Sequence, residues 1–139
     1  MMAKPMTKKG LKKKVWAVFS IYIRLRDCLK TTGSPDYGKC ITCNNVYSFS
    51  NLQAGHFIPG RHPAYLFCEK GVNAQCARCN KWLEGNTLEY RRKIIEMYGE
   101  GADEVLEQQA KQTKKFTIEE LQGLLREYRE KIKELEVKP

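Results

Sequence analysis

The sequence has 139 residues, 42% of them hydrophobic, which suits one domain with a modest core and excludes a wholly disordered chain. The formal net charge is +9, and residues 1–39 carry most of it, with ten basic and two acidic residues. Such a basic region predicts a polyanion partner, most often nucleic acid, although a lysine-rich segment can also serve solubility alone. No apolar run approaches the roughly 20 residues of a membrane span, and no cleavage site follows the basic start, so we expect a soluble, cytoplasmic protein with no membrane partner.

The first predicted elements are a basic arm and a helix. Residues 1–12 contain Pro5 and Gly10 and predict a flexible arm; residues 13–139 are expected to form a single domain. Apolar residues recur at helical spacing over residues 13–32 and predict an N-terminal helix, which the Gly33-Ser34-Pro35 segment ends.

The centre of the chain, residues 40–98, predicts strands followed by helices. Val46–Phe49 and Leu52–Ile58 have strand character and are expected to pair as a hairpin across a Ser-Asn turn. Residues 60–72 show no periodicity and predict a loop. A helix is expected from Ala77 or Asn80, and a second from Asn86 or Thr87 to Tyr98, closed by glycines.

The last third, residues 102–137, predicts a short helix near 103–110 and a longer one after it. Thr117-Ile118-Glu119-Glu120 has the pattern of a capping box, which opens a helix. One face of that helix is apolar over more than two heptads. It either packs on its own domain or forms a dimer interface, and the sequence leaves both readings open.

Four cysteines form two C-x-x-C pairs, Cys40/Cys43 and Cys76/Cys79, separated by 32 residues. Two thiolates three positions apart on a tight turn can both reach one Zn²⁺, and two such pairs complete a closed tetrahedral site. Disulfides are the alternative, but a cytosolic protein disfavours them. The sequence therefore predicts a structural zinc ion, with Cys28 and Cys68 outside its ligand set.

A histidine and an asparagine stand out beside this cluster. His56 ends the second predicted strand, and Asn80 directly follows Cys79. A neutral imidazole can take a proton from water, and an amide oxygen can help to hold Mg²⁺ at a scissile phosphate. The pair suits metal-dependent phosphodiester hydrolysis, although a single histidine on a strand is more often structural.

Taken together, these motifs resemble those of the phage NinG recombination-endonuclease family and, more broadly, the ββα-metal (HNH, endonuclease VII-like) nucleases. The resemblance covers roughly residues 11–135. The segments that carry it are Val18–Ser20, Tyr22–Cys28, Thr31–Gly33, Gly38–Cys43, Leu52–Phe57, Ala74–Cys76, Cys79–Asn80, Leu83, Gly85–Asn86 and Tyr90.

The resemblance implies an α+β fold with a small zinc-stabilised ββα-metal core at residues 40–98, flanked by N-terminal and C-terminal helices. It implies a metal-dependent DNA endonuclease for branched recombination intermediates such as Holliday junctions and D-loops. His56 matches the general base, Asn80 the Mg²⁺ or Mn²⁺ ligand, and the four paired cysteines the zinc ligands. The family's nucleases commonly act as dimers, so the resemblance also implies a homodimer.

Two positions depart from the broader pattern. Endonuclease VII-like members carry an Asp before the base, as a second metal ligand, where this chain has Gly55. Glu84, one helical turn after Asn80 if the helix is continuous, is the candidate replacement. Gly71 stands where the pattern places an Asn that fixes the base, and Asn73 is the nearest substitute.

Several basic residues near these positions are candidate phosphate contacts, which would position DNA without reading its bases. They are Lys12, Lys13, Lys14, Arg61, Arg78, Lys81, Arg91 and Arg92. Two other functions stay open at this point. One is a non-catalytic, zinc-stabilised nucleic-acid-binding module, and the other is a structural protein in which zinc replaces a larger core.

Overall fold

Four α-helices and two small antiparallel sheets make up the part of the chain that the computed structural model describes, residues 6–60 and 62–137. The elements in chain order are α1 (Lys8–Thr32), β1 (Tyr37–Lys39), β2 (Val46–Ser48), β3 (Leu52–His56), β4 (Val72–Cys76), α2 (Thr87–Tyr98), α3 (Ala102–Lys111) and α4 (Ile118–Val137). A 3₁₀ turn, Phe49–Asn51, precedes β3, and a single π-helical turn, Arg78–Trp82, follows β4. The predicted α+β class is confirmed.

Helix α1 begins earlier than the sequence predicts. The Thr7 side chain accepts a hydrogen bond from the Gly10 amide at 3.0 Å, so it caps a helix that begins at Lys8 rather than 13. Leu11, within the predicted arm, is buried against α4. The predicted flexible arm over 1–12 is therefore wrong for residues 8–12, and residues 1–5 lie outside the described residues. Gly33, with φ 77°, ends the helix as expected.

The strands pair differently from the prediction. β1 pairs with β2, and β3 pairs with β4 in a register that places Leu52 opposite Cys76 and His56 opposite Val72. The predicted hairpin between Val46–Phe49 and Leu52–Ile58 is wrong. The strand missing from the prediction is β4, whose buried Asn and Gln residues hide the apolar character of a buried strand.

The β3–β4 hairpin has two different faces because side chains alternate along a strand. The face that carries His56 packs against α1, where Phe19 and Ile23 bury Val72. Farther along the same face, Cys28 of α1 is buried against the hairpin, as expected for a small hydrophobe. The opposite face carries the polar residues of β4 and lies toward α2.

Helix α4 uses its apolar stripe within its own chain. Leu121 and Leu125 join Leu11 and Val15 of α1 in one buried cluster, and Tyr128 joins Phe19 in the next. The capping box is confirmed, since the Thr117 and Glu120 side chains each accept a hydrogen bond from the other's backbone amide. The stripe thus has a partner in α1, and the dimer stays a prediction.

Charged side chains fix α1 to the rest of the fold. Asp27, which is 5% exposed, accepts a hydrogen bond from the Ala74 amide at 2.7 Å, and Arg26 donates to the Val72 carbonyl at 3.0 Å. Glu69, in the loop between β3 and β4, accepts hydrogen bonds from Tyr22 of α1 and Tyr128 of α4.

Among the described residues, no helix combines the length and the apolar composition needed to cross a bilayer.

Candidate functional site

The four paired cysteines come together as a cluster with the dimensions of a zinc site. Cys40 and Cys43 lie on the turn between β1 and β2, Cys76 ends β4, and Cys79 lies on the π turn. Their four Sγ atoms lie within 4.8 Å of one another, and Cys43 Sγ is 3.9 Å from Cys76 Sγ. Four sulfurs at about 2.3 Å from a tetrahedral Zn²⁺ are about 3.8 Å apart, so the cluster fits zinc.

Hydrogen bonds favour the thiolate at Cys40, whereas burial opposes it at Cys79. The Thr42 hydroxyl lies 3.3 Å from Cys40 Sγ and itself accepts a hydrogen bond from Gln75, so its proton is available to the sulfur. Although burial opposes it, this and backbone hydrogen bonds lower the pKa of Cys40 to about 7. Burial raises the pKa of Cys79 to about 12. Cys40 and Cys79 can therefore both be thiolates at neutral pH only beside a cation.

His56 contacts two aromatic rings at the end of β3. Its imidazole stacks on Trp16 of α1, with ring centroids 5.0 Å apart and planes at 14°, and its ring centroid lies 5.7 Å from that of Tyr65. Its Nε2 lies 3.1 Å from the Leu66 carbonyl oxygen. A carbonyl only accepts, so Nε2 carries the hydrogen and Nδ1 keeps its lone pair.

The protonation state of His56 follows from this setting. Burial lowers the pKa of His56, and it outweighs the opposite effect of the hydrogen bond to the Leu66 carbonyl. The imidazole is therefore neutral at pH 7, with one nitrogen available as a base.

Asn80 lies on the other face of the hairpin. Its Nδ2 donates to Gln53 Oε1 at 2.8 Å, which leaves its own Oδ1 available for another partner. Gln53 and His56 are three positions apart on β3, so their side chains point to opposite faces and are separated by about 10 Å of strand. The structure does not place His56 and Asn80 side by side.

Glu84 does not share a helix face with Asn80, so the reason for choosing it as a second ligand is wrong. The expectation required a continuous helix, but the π turn ends at Trp82. Glu84 then adopts a left-handed backbone conformation, with φ 50°, and its side chain is exposed.

Tyr65 explains why Gly71 departs from the broader pattern. Its hydroxyl donates to the Gly71 carbonyl at 2.7 Å, and a Cβ at position 71 would lie 2.0 Å from that hydroxyl oxygen. No side chain fits there unless Tyr65 moves. The tyrosine thereby closes the loop between β3 and β4 and packs beside His56.

Gln75 fills the space at the other departure, Gly55. A Cβ on Gly55 would lie 2.0 Å from Gln75 Oε1. Gln75 is fully buried, and its Nε2 donates to Thr42 and to the Gly85 carbonyl. Within the described residues, its Oε1 is the one buried side-chain oxygen or nitrogen that has no hydrogen-bond partner. A side-chain amide thus occupies the space beside the residue that precedes His56.

Asn73, the predicted substitute for the Asn expected at position 71, is buried and fully hydrogen-bonded. Its Nδ2 donates to the Lys70 carbonyl and to the Tyr90 hydroxyl, and its Oδ1 accepts from Arg26. The Tyr90 hydroxyl in turn donates to the Gly55 carbonyl at 2.6 Å. Asn73 therefore holds the loop and, through Tyr90, the backbone next to His56.

Replacing Gly55 with alanine is expected to lower the free energy of unfolding by about 2 kcal/mol. The new methyl group would displace the Gln75 amide from both of its hydrogen-bond acceptors. Urea unfolding of Gly55→Ala, Gln75→Ala and the double variant measures the coupling, which should exceed about 1 kcal/mol. Gly123→Ala is the control, because open space surrounds that helical glycine and the change should stabilise α4. Additive effects at positions 55 and 75 would contradict the packing explanation.

The candidate DNA contacts lie at separate places in the fold. Lys13 and Lys14 are exposed on α1, and Lys12 beside them lies over the Phe116 ring. Arg78 and Lys81 are exposed on the π turn. The remaining three candidates differ from one another.

Arg91 is committed to the fold, because it forms ion pairs with Asp103 and Glu107 of α3. It is therefore a poor candidate for a phosphate contact. Arg92 is exposed and pairs only with Glu89 of its own helix among the described residues. Arg61 lies outside the described residues.

Four residues around His56 and the β3–β4 hairpin were not predicted as parts of the candidate site: Trp16, Tyr65, Gln75 and Tyr90. Each acts through contacts across elements, which residue spacing does not reveal. The available signal was indirect: glycine often marks a close approach by another group, and Gly55 and Gly71 are such positions.

These features define a small α+β protein organised around a four-cysteine cluster able to hold a structural metal ion such as zinc. The family model described as Bacteriophage Lambda NinG protein matches residues 3–138, and the chain belongs to this family. Protein ninG of Salmonella phage P22 is 33% identical over 97 residues, and protein ninG of Escherichia phage lambda is 32% identical over 97 residues.

The aligned region covers 69% of this chain and 47% of each of these two relatives. The chain thus spans about half the length of the curated relatives it matches. No solved structure matches the chain.

Proposed function

We propose that the protein is a metal-dependent DNA endonuclease in which His56 is the general base. The observation that carries this proposal is the setting of His56. The imidazole is neutral, is oriented by Trp16 and the Leu66 carbonyl, and keeps an unprotonated Nδ1. These are the properties that a general base needs at neutral pH.

In the proposed reaction, His56 Nδ1 accepts a proton from a water molecule as that water attacks the phosphorus, and the bond to the leaving 3′ oxygen breaks. Asn80, whose Oδ1 is not used by Gln53, would hold Mg²⁺ or Mn²⁺. Such an ion supplies positive charge that stabilises the phosphate and the leaving oxygen.

The order of elements supports a ββα-metal core. β3, β4 and the π turn follow one another, with the general base on β3 and the amide ligand on the turn. Because His56 and Asn80 lie on opposite faces, the proposal requires a DNA backbone that passes the edge of β3. Within the part of the chain that the structure describes, that strand pairs only with β4, and no strand lies along its other edge.

The second candidate is a non-catalytic DNA-binding module stabilised by zinc. Two observations favour it: the separation of His56 from Asn80, and the amide of Gln75 in place of a carboxylate beside the base. A binding module would use the exposed basic residues without cutting DNA.

Further parts of the proposal come from the family resemblance. The substrate is branched DNA such as a Holliday junction or D-loop, the protein acts as a homodimer, and it works in the cytoplasm of the phage-infected host. Two copies would make paired nicks across a junction. The chain spans about half the length of its curated relatives. The substrate, the dimer and the cellular location are therefore proposals for this chain and are not taken from those relatives.

A nicking assay with a synthetic four-way junction and a linear duplex tests the proposal. We expect nicking of the junction when Mg²⁺ is added and none when no Mg²⁺ or Mn²⁺ is added. The protein carries zinc in both reactions. Binding should weaken at least about tenfold between 50 and 200 mM salt, since phosphate contacts release counterions. Tight binding without nicking in Mg²⁺ or Mn²⁺ would favour the binding module instead.

A further inference from the structure

The segment between the π turn and α2 presents an unusual apolar surface. Trp82 is 82% exposed, the largest exposed fraction of any large apolar residue among those described. Leu83, the next residue, is 45% exposed, and Leu88 in the first turn of α2 is 79% exposed. A tryptophan normally buries most of its large side chain, so this exposed patch is a candidate for an interaction surface.

The patch is rigidly supported. Asn86 Nδ2 lies 3.7 Å from Cys79 Sγ, and the Gly85 amide donates to the Cys79 carbonyl at 2.9 Å. The backbone at Glu84, Gly85 and Asn86 is left-handed at three successive residues, with φ of 50°, 89° and 48°. Such a conformation at two non-glycine residues is costly and often marks a functional site. The turn that carries Trp82 is therefore tied to the four-cysteine cluster, while the tryptophan ring stays in solvent.

Basic residues surround this apolar patch. Arg78 lies one turn before Trp82, and Lys81 is adjacent to it, and both are exposed. Arg92 is four residues after Leu88 on the same face of α2. Glu84 is the one acidic residue between 78 and 88. The charge around the tryptophan thus suits a polyanion rather than another basic copy of this chain.

We propose that Trp82 is a stacking platform for unpaired or unstacked bases at the branch point of DNA, with Arg78 and Lys81 on the flanking phosphates. The proposal rests on the proposed function, since it names how that function recognises its substrate. Base–aromatic stacking does not depend on sequence, because every base has a flat face. A branch point offers unstacked bases without the cost of opening a duplex, so the platform distinguishes a junction from linear DNA.

Binding measurements without an added divalent cation test this platform separately from cleavage. We expect Trp82→Ala to raise the dissociation constant for a four-way junction by about 5- to 150-fold. The same variant should change binding to linear duplex less than about twofold, since phosphate contacts remain. Val105→Ala is the matched control, because Val105 is 66% exposed on α3, outside the patch, and its loss should leave both affinities unchanged.

A fluorescent base gives a direct readout of stacking. We expect 2-aminopurine at the branch point to be quenched by wild-type protein and by Trp82→Phe, and not by Trp82→Leu, which keeps an apolar side chain without a ring. Zinc content and the far-UV circular dichroism spectrum confirm that each variant is folded.

The outcomes separate the platform from the function on which it rests. Junction binding by wild type that Trp82→Ala leaves unchanged would overturn the platform alone. Wild type that binds neither DNA would overturn the proposed function and the platform with it. If Trp82→Ala instead converts a dimer to a monomer and leaves the aminopurine signal intact, the patch is an interface between copies and the platform is wrong.

Discussion

Removing the metal ion from the four-cysteine cluster is expected to unfold the centre of the protein. Cys40, Cys76 and Cys79 are buried, and the cluster has few apolar neighbours, so hydrophobic packing contributes little to holding these segments together. Zinc binding in small structural sites is worth about 10–16 kcal/mol, which is comparable with the whole stability of a domain. We therefore expect Cys76→Ala to bind no zinc and to lower the melting temperature by at least about 15 °C.

Zinc content by atomic emission and thermal unfolding by circular dichroism measure this effect. Cys68→Ala is the matched control, because Cys68 is only partly buried and lies outside the cluster, where its thiol donates to Gln109. That variant should keep one zinc ion per chain and melt close to wild type. A Cys76→Ala protein that holds a full equivalent of zinc would contradict the assignment of the four cysteines as the zinc site.

Replacing His56 with alanine is expected to lower the nicking rate by about 10²- to 10⁴-fold, the usual contribution of a general base. The loss should appear in the rate at saturating DNA, since His56 acts on the attacking water rather than on binding. His62→Ala is the control, because His62 lies on the loop after β3 and its Nε2 contacts only the Pro59 carbonyl among the described residues. Zinc content shows that both variants are folded.

The pH dependence of nicking gives a second test of the same residue. The base works only when neutral, so the rate should fall as the pH drops through its pKa. Because burial lowers the pKa of His56, that fall should occur below the ordinary histidine value of about 6.5. Unchanged nicking by His56→Ala would contradict the assignment of His56 as the base. A midpoint of the pH–rate profile well above that value would contradict it as well.

The sequence predicted best those features that depend on neighbouring residues. The C-x-x-C pairs indicated the cysteine cluster, and Thr117 with Glu120 indicated the start of α4, because both patterns are complete within four positions. The family assignment is confirmed as well. Catalysis, DNA binding and the dimer stay predictions.

Features that depend on packing were missed. β4 was not predicted because Asn73 and Gln75 are buried by pairing with side chains from distant segments, which makes a core strand look polar. Glu84 was misplaced because a π turn ends the helix early. Gly55 and Gly71 depart from the pattern of the ββα-metal nucleases. The structure explains both glycines, because Gln75 and Tyr65 fill the space that a side chain would need there.

The pairing of α1 with α4 has a consequence for synthesis on the ribosome. α1 is made first, yet Leu121, Leu125 and Tyr128, which cover Val15 and Phe19, are made more than 100 residues later. The cysteine cluster is complete once Cys79 emerges, well before α4 exists. The nascent chain therefore completes its cysteine cluster while the part of α1 that packs on α4 is still uncovered, so apolar side chains of α1 stay exposed to solvent until α4 is made.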